Sequence, residues 1–176
     1  MLMNNKGMTV QFTRSQISEG VRRIAEEIRK DYSGQSLTMV YVLKGSGMFF
    51  SDLCRELQDL SLIMEFINPE FHRDVWGRPT FKEFICGRKE DYHGKPVIIL
   101  TEMLDSVRFM NAVIERVARK EPLSISIAAL LIKSEVQISQ LSRKTYYAFE
   151  AAHPVVGYGI DPSNVWQGLP EIYTKC

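Results

Sequence analysis

Residues 97–106 read VIILTEMLDS. An apolar run with few polar interruptions is the pattern of a strand covered on both faces, and this one ends in charge. Just beyond it, Met110, Val113, Ile114 and Val117 recur three and four residues apart. That is the period of one helix face, so the chain from Ser106 onward reads as a helix, which Glu121-Pro122 breaks. A strand that ends in acids where a helix begins brings carboxylates and helix-start amides to one place, where they can hold a phosphate, a sugar or a metal ion, or supply a base. On spacing alone, Asp105 is equally readable as a plain helix N-cap.

Working upstream, Ile17, Val21, Ile24 and Ile28 mark one face of a helix over 15–30, which Tyr32-Ser33-Gly34 ends. Residues 37–43, LTMVYVL, form a second buried strand, followed by the turn Lys44-Gly45-Ser46-Gly47. Phe49, Phe50, Leu53, Cys54 and Leu57 give another helix face, and 61–67 another strand. Residues 68–80 turn polar and irregular, with Pro69, Gly77 and Pro79. They read as a long loop between strands, either a disordered connection or an active-site lid. A hairpin strand over 80–86 and a turn at 93–96 follow.

Downstream, 124–132 is an apolar strand that stops at Lys133, and 146–150 and 155–160 are shorter strand candidates. Strands alternating with helices imply an α/β domain with a mostly parallel sheet. Such sheets bind ligands at the carboxyl ends of their strands. The residues to inspect are therefore Lys44-Gly45, 102–108, Lys133 and Asp161.

Composition bounds the function. A chain of 176 residues suits one domain over 1–176. Hydrophobic residues make up 45% and charged residues 24%, as in ordinary globular proteins. A net charge of +1 without a basic run argues against nucleic acid and acidic membranes as partners, so an anion site must be local. No apolar run approaches the roughly 20 residues of a membrane span. Cys54, Cys86 and Cys176 show no metal or disulfide spacing, which suits reduced thiols in a cytoplasm. The amino end lacks the pattern of a signal peptide, and residues 1–10 are expected to include a disordered leader.

Three further stretches carry possible chemistry. Lys44-Gly45-Ser46-Gly47 can offer amides and a cation to a phosphate, although it lacks P-loop spacing and also reads as a simple strand-to-helix turn. Lys133, ending LLIK, is either a solvated strand end or a donor to a ligand carbonyl. Residues 155–161, VVGYGID, combine a strand, a glycine bend and an acid, with Leu169-Pro170 beyond.

In this order, VLKG, the acidic strand end with Asp105-Ser106, LLIK and VVGYGID resemble the hypoxanthine-guanine phosphoribosyltransferases, over about residues 17–172. The resemblance implies the type I phosphoribosyltransferase fold, a mostly parallel sheet flanked by helices with a small hood and a mobile lid loop. It implies magnesium-dependent transfer of phosphoribosyl from phosphoribosyl diphosphate to a 6-oxopurine. It also implies a cytoplasmic homo-oligomer, a dimer or tetramer. By position, Asp105 is the implied catalytic residue, a carboxylate that contacts purine N7 and acts as general base, and Glu102, Asp105, Ser106, Val107, Arg108 and Phe109 make the phosphate loop. Lys44 and Gly45 face the pyrophosphate, Lys133 and Val155 the purine, and Asp161 with Glu102 the metal.

Where the family reads Glu-Asp-x-x-Asp-Thr-Gly-x-Thr, this chain reads Thr101-Glu102-Met103-Leu104-Asp105-Ser106-Val107-Arg108-Phe109. Val107 replaces a glycine, Phe109 a threonine, and Gln167 an arginine of the pyrophosphate site. Two readings follow: an enzyme, or a non-catalytic homologue that binds purine nucleotide or regulates.

Overall fold

The computed structural model describes residues 7–43, 45, 47–73, 79–86, 92–161, 163 and 165–175, with backbone alone at 69–73, 79–86 and 175. In chain order the elements are β1 (Met8–Phe12), α1 (Arg14–Tyr32), β2 (Ser36–Val42), α2 (Met48–Glu56), β3 (Ser61–Arg73), β4 (Pro79–Cys86), β5 (Pro96–Leu104), α3 (Val107–Ala118), β6 (Ser124–Lys133), β7 (Thr145–Ala151), β8 (Val155–Val156) and β9 (Ile172–Lys175). A 3-10 turn at Ile138–Leu141 lies between β6 and β7.

The main sheet has the order β4-β3-β2-β5-β6-β7. Its strands run parallel from β3 to β7, and β4 alone is antiparallel. Both faces are covered, which is why the inner strands are apolar at nearly every position. Leu37, Met39 and Tyr41 of β2 face α1 and α2 in one core cluster. Val40 and Val42 face the other way, into a second cluster with Met110, Val113 and Val117 of α3. Helix α1 starts with a capping box: the Gln16 amide donates to Thr13 Oγ1, and the Thr13 amide to Gln16 Oε1 at 2.9 Å. It sits close on β7, because a Cβ at Gly20 would come within 2.8 Å of Ala148 and Phe149.

A second sheet, β1-β9-β8, forms the hood and corrects two sequence expectations. Of the expected leader over 1–10, residues 1–6 lie outside the described residues, and residues 8–10 belong to the strand Met8–Phe12, paired antiparallel with Ile172–Lys175. Its polar residues are tolerated because the strand lies at the sheet edge, half in solvent. The strand expected over 155–160 is only two residues long. From Gly157 the backbone turns through φ of 103° at Gly157, 49° at Tyr158 and 88° at Gly159. A Cβ at Gly157 would lie 2.0 Å from the Glu171 carbonyl oxygen, so only glycine fits there. A third correction concerns 68–80. The loop expected there is strand through Arg73 and again from Pro79, with Asn68 facing Phe84 and Arg73 facing Pro79 in register. Antiparallel pairing satisfies the backbone of this polar stretch without an apolar pattern. Residues 74–78 of the proposed lid lie outside the described residues.

Candidate active site

The carboxyl ends of β2 and β5, with the turn after β8, enclose a cleft of about 150 Å³. Gly45, Thr101, Glu102, Asp105, Gly159 and Asp161 are among its lining residues. Glu102 forms its floor and is 3% exposed. Its Oε1 accepts from the Tyr41 hydroxyl and, at 3.0 Å, from the Gly47 amide. Burial pushes the Glu102 carboxyl above the usual carboxylate range, opposed by the hydrogen bonds from Tyr41 and the Gly47 amide. The Tyr41 phenol is raised as well, first by burial and then by the Glu102 charge. Gly45 fits because it lacks a side chain: a Cβ would meet Glu102 Cδ and the Gly159 carbonyl oxygen, each at 2.8 Å. Lys44 lies outside the described residues.

Asp105 is exposed at the end of β5. Ser106 is the N-cap of α3, its Oγ accepting from the Phe109 amide at 3.2 Å and its carbonyl from Met110 at 3.0 Å. Val107 is the first helical residue and does not need the positive φ that favours glycine. Arg108 is exposed. Phe109 is 8% exposed, with its ring in the second core cluster beside Met110 and Val113. Thr101, buried, donates its hydroxyl to the Met103 carbonyl at 3.2 Å. The register Leu104↔Ile132 makes Asp105 and Lys133 successors on adjacent strands. Lys133 Nζ pairs with Glu135 Oε1 at 2.5 Å. That bond is the main cause of its raised pKa, to which the Asp105 charge adds.

Asp161 is 6% exposed and organises the loop that follows it. One oxygen accepts from the Ser163 amide at 2.9 Å; the other accepts from Val165 at 2.8 Å and Trp166 at 2.7 Å. The Ser163 hydroxyl reaches both. Burial alone would raise the Asp161 pKa, but the hydrogen bonds from Trp166, Ser163 and Val165 win and hold it well below the usual carboxylate range.

The structure therefore brings Gly45, Glu102, Asp105 and Asp161 to one cleft, with Lys133 beside Asp105. The Phe109 side chain is turned away into the core. Val155 is buried in the hood, where it pairs with Thr174, and is not among the residues lining the cleft. Tyr41 is a contributor that inspection of the strand ends overlooks. The signal for Tyr41 was a tyrosine inside an apolar strand, since a buried phenol needs a partner. A larger cavity, about 590 Å³, opens between α1, α2 and the hood, with Arg14, Asp52, Arg55 and Tyr158 in its walls. It holds neither the strand-end carboxylates nor Lys133.

Among the described residues, no group of three or more His, Cys, Asp or Glu side chains could hold a metal ion. Glu102 and Asp161 share the cleft but already accept hydrogen bonds from the protein. Such a pair does not make an all-protein cage. It does suit magnesium, which commonly binds one or two carboxylates together with substrate phosphates and water.

Comparison with known proteins agrees with this geometry. The family model of the phosphoribosyl transferase domain matches residues 12–167. The hypoxanthine phosphoribosyltransferase of Escherichia coli (strain K12) is 31% identical over 160 residues, covering 90% of this chain and 88% of that protein. The hypoxanthine-guanine phosphoribosyltransferase of Staphylococcus aureus (strain Mu50) is 26% identical over 172 residues, covering 98% and 96%. A mutant hypoxanthine phosphoribosyltransferase of Trypanosoma cruzi, solved as a ternary substrates complex, superposes with a TM-score of 0.83 at 25% identity, covering 95% of this chain and 94% of that one. The chain belongs to the hypoxanthine-guanine phosphoribosyltransferase family.

Proposed function

We propose that the protein transfers phosphoribosyl from phosphoribosyl diphosphate to N9 of a 6-oxopurine, hypoxanthine or guanine, releasing pyrophosphate and a purine nucleoside monophosphate. The observation that carries this reading is the meeting of Gly45, Asp105 and Asp161 in one cleft, with Lys133 next to Asp105. In this reading Asp105 contacts purine N7 and serves as the base, and Lys133 donates to the exocyclic O6. Ser106 and the amides of 106–108 hold the 5′-phosphate at the start of α3, where the helix dipole favours an anion. Arg108, exposed on the first turn of α3, adds a cation there. Lys44 and Gly45 face the diphosphate. Asp161 and Glu102 would hold magnesium, which supplies positive charge to the leaving diphosphate. We place the reaction in the cytoplasm, in a dimer or tetramer; no described helix is long and apolar enough to cross a membrane.

Two observations favour a second reading, in which purine nucleotide binds without turnover. The Thr101 hydroxyl and the Phe109 ring, at positions where the family carries ligand-holding groups, are turned into the protein.

The test is turnover by the purified protein with magnesium, phosphoribosyl diphosphate and hypoxanthine, guanine or adenine. The 6-oxopurines should yield nucleotide and adenine should not, and removing magnesium with a chelator should stop the reaction. Nucleotide binding without product from any base would establish the second reading.

A further inference from the structure

Beneath the phosphate-facing turn lies a polar contact that the reaction scheme leaves unused. Tyr41 is 1% exposed on β2, and its hydroxyl donates to Glu102 Oε1. The same oxygen accepts from the Gly47 amide at 3.0 Å, so one atom ties β2, β5 and the turn together. The ring cannot easily swing away. It lies tilted against Phe50 at 5.2 Å between centroids and edge-on to Phe66 at 6.3 Å. The Glu102 carboxyl has as little freedom, since it fills the space where a Cβ at Gly45 would go. A polar atom with this little solvent access is costly to leave unpaired, so the triad should act as a unit.

We infer that Tyr41 is a positioning residue for the diphosphate half of the site: it fixes Glu102 beneath Gly45–Gly47 and so sets the shape in which the turn meets phosphate. The link to phosphate rests on the function proposed above; the link to the turn does not. Tyr41→Phe keeps the ring and its packing and removes only the hydroxyl.

In the free protein, hydrogen exchange at the Gly47 amide should quicken by about tenfold, the size of one ordinary net hydrogen bond, with Tm lower by only a few degrees. In the enzyme assay, KM for phosphoribosyl diphosphate should rise by about tenfold while KM for hypoxanthine stays within about twofold, a split that general loosening of the fold would not produce. Glu102→Gln retains a carbonyl acceptor and should keep most of the Gly47 protection. If Tyr41→Phe does not fold, Phe66→Leu, which frees the ring edge, must show the same split to a smaller degree. Unchanged Gly47 exchange in Tyr41→Phe, or in Phe66→Leu if that is the variant that folds, overturns the inference. So does an equal rise in both KM values. A native protein that neither binds nor uses phosphoribosyl diphosphate would overturn the proposed function instead, and the exchange result would still decide the role of Tyr41 in the turn.

Discussion

Asp105 stands exposed just past the end of β5, where substitutions are usually mild for the fold. Its removal therefore separates chemistry from stability. Asp105→Asn should lower kcat by about 10²-fold or more, as for loss of a general base, and change stability by no more than about 0.5 kcal/mol. Steady-state kinetics and a melting curve on the same preparation check this; an unchanged kcat would mean the base lies elsewhere. Gly45 is the opposite case. Gly45→Ala forces a Cβ to within 2.8 Å of Glu102 and of the Gly159 carbonyl. Denaturant unfolding should show a loss of about 1–3 kcal/mol. Asp105 was visible in the sequence because an acid at a strand end is a local pattern. The need for glycine at 45 arises from contacts 57 residues away with Glu102, which no local pattern records.

At the scale of elements, the start of α3 shows how substitutions reshape a loop. The sequence places Val107 where the family carries a glycine and Phe109 where it carries a threonine. The structure gives them other work: Val107 sits in ordinary helical backbone, and Phe109 fills the core beneath α3. Phe109→Ala should cost about 3 kcal/mol in denaturant unfolding, a core cavity rather than a binding defect. Phe109→Thr should likewise destabilise the protein instead of simply restoring a phosphate donor. The helices and inner strands were legible because their periods of 3.6 and their continuous apolar runs encode burial directly. The length of β3 and the pairing of β1 were not. Edge and hairpin strands take their hydrogen bonds from a partner, and polar residues such as Thr9 and His72 give no sign of it.

For the whole molecule, the contacts that fasten α1 to β7 lie at the end of the parallel sheet opposite the cleft. Away from the cleft, Asp31 of α1 accepts from Tyr146 at 2.5 Å and from Lys144, fastening the helix to β7. Lys144 and then Tyr146 hold the Asp31 pKa below its ordinary value. A depressed carboxylate stabilises the fold above its unfolded pKa, about 3.9, and that stability is lost as pH falls through the folded value. Asp31→Asn should therefore cost about 1 kcal/mol near neutrality. The gap to the native protein should close below about pH 4. Stability curves for both proteins across that range check it.

On the proposed function, the strand-end cleft, not the larger cavity between α1 and α2, receives the nucleotide. A crystal structure with a bound 6-oxopurine nucleoside monophosphate tests this most directly. The 5′-phosphate is expected on the amides at the start of α3 and the base oxygen at Lys133. Nucleotide seated among Arg14, Asp52 and Arg55 instead, with the cleft empty, would contradict it.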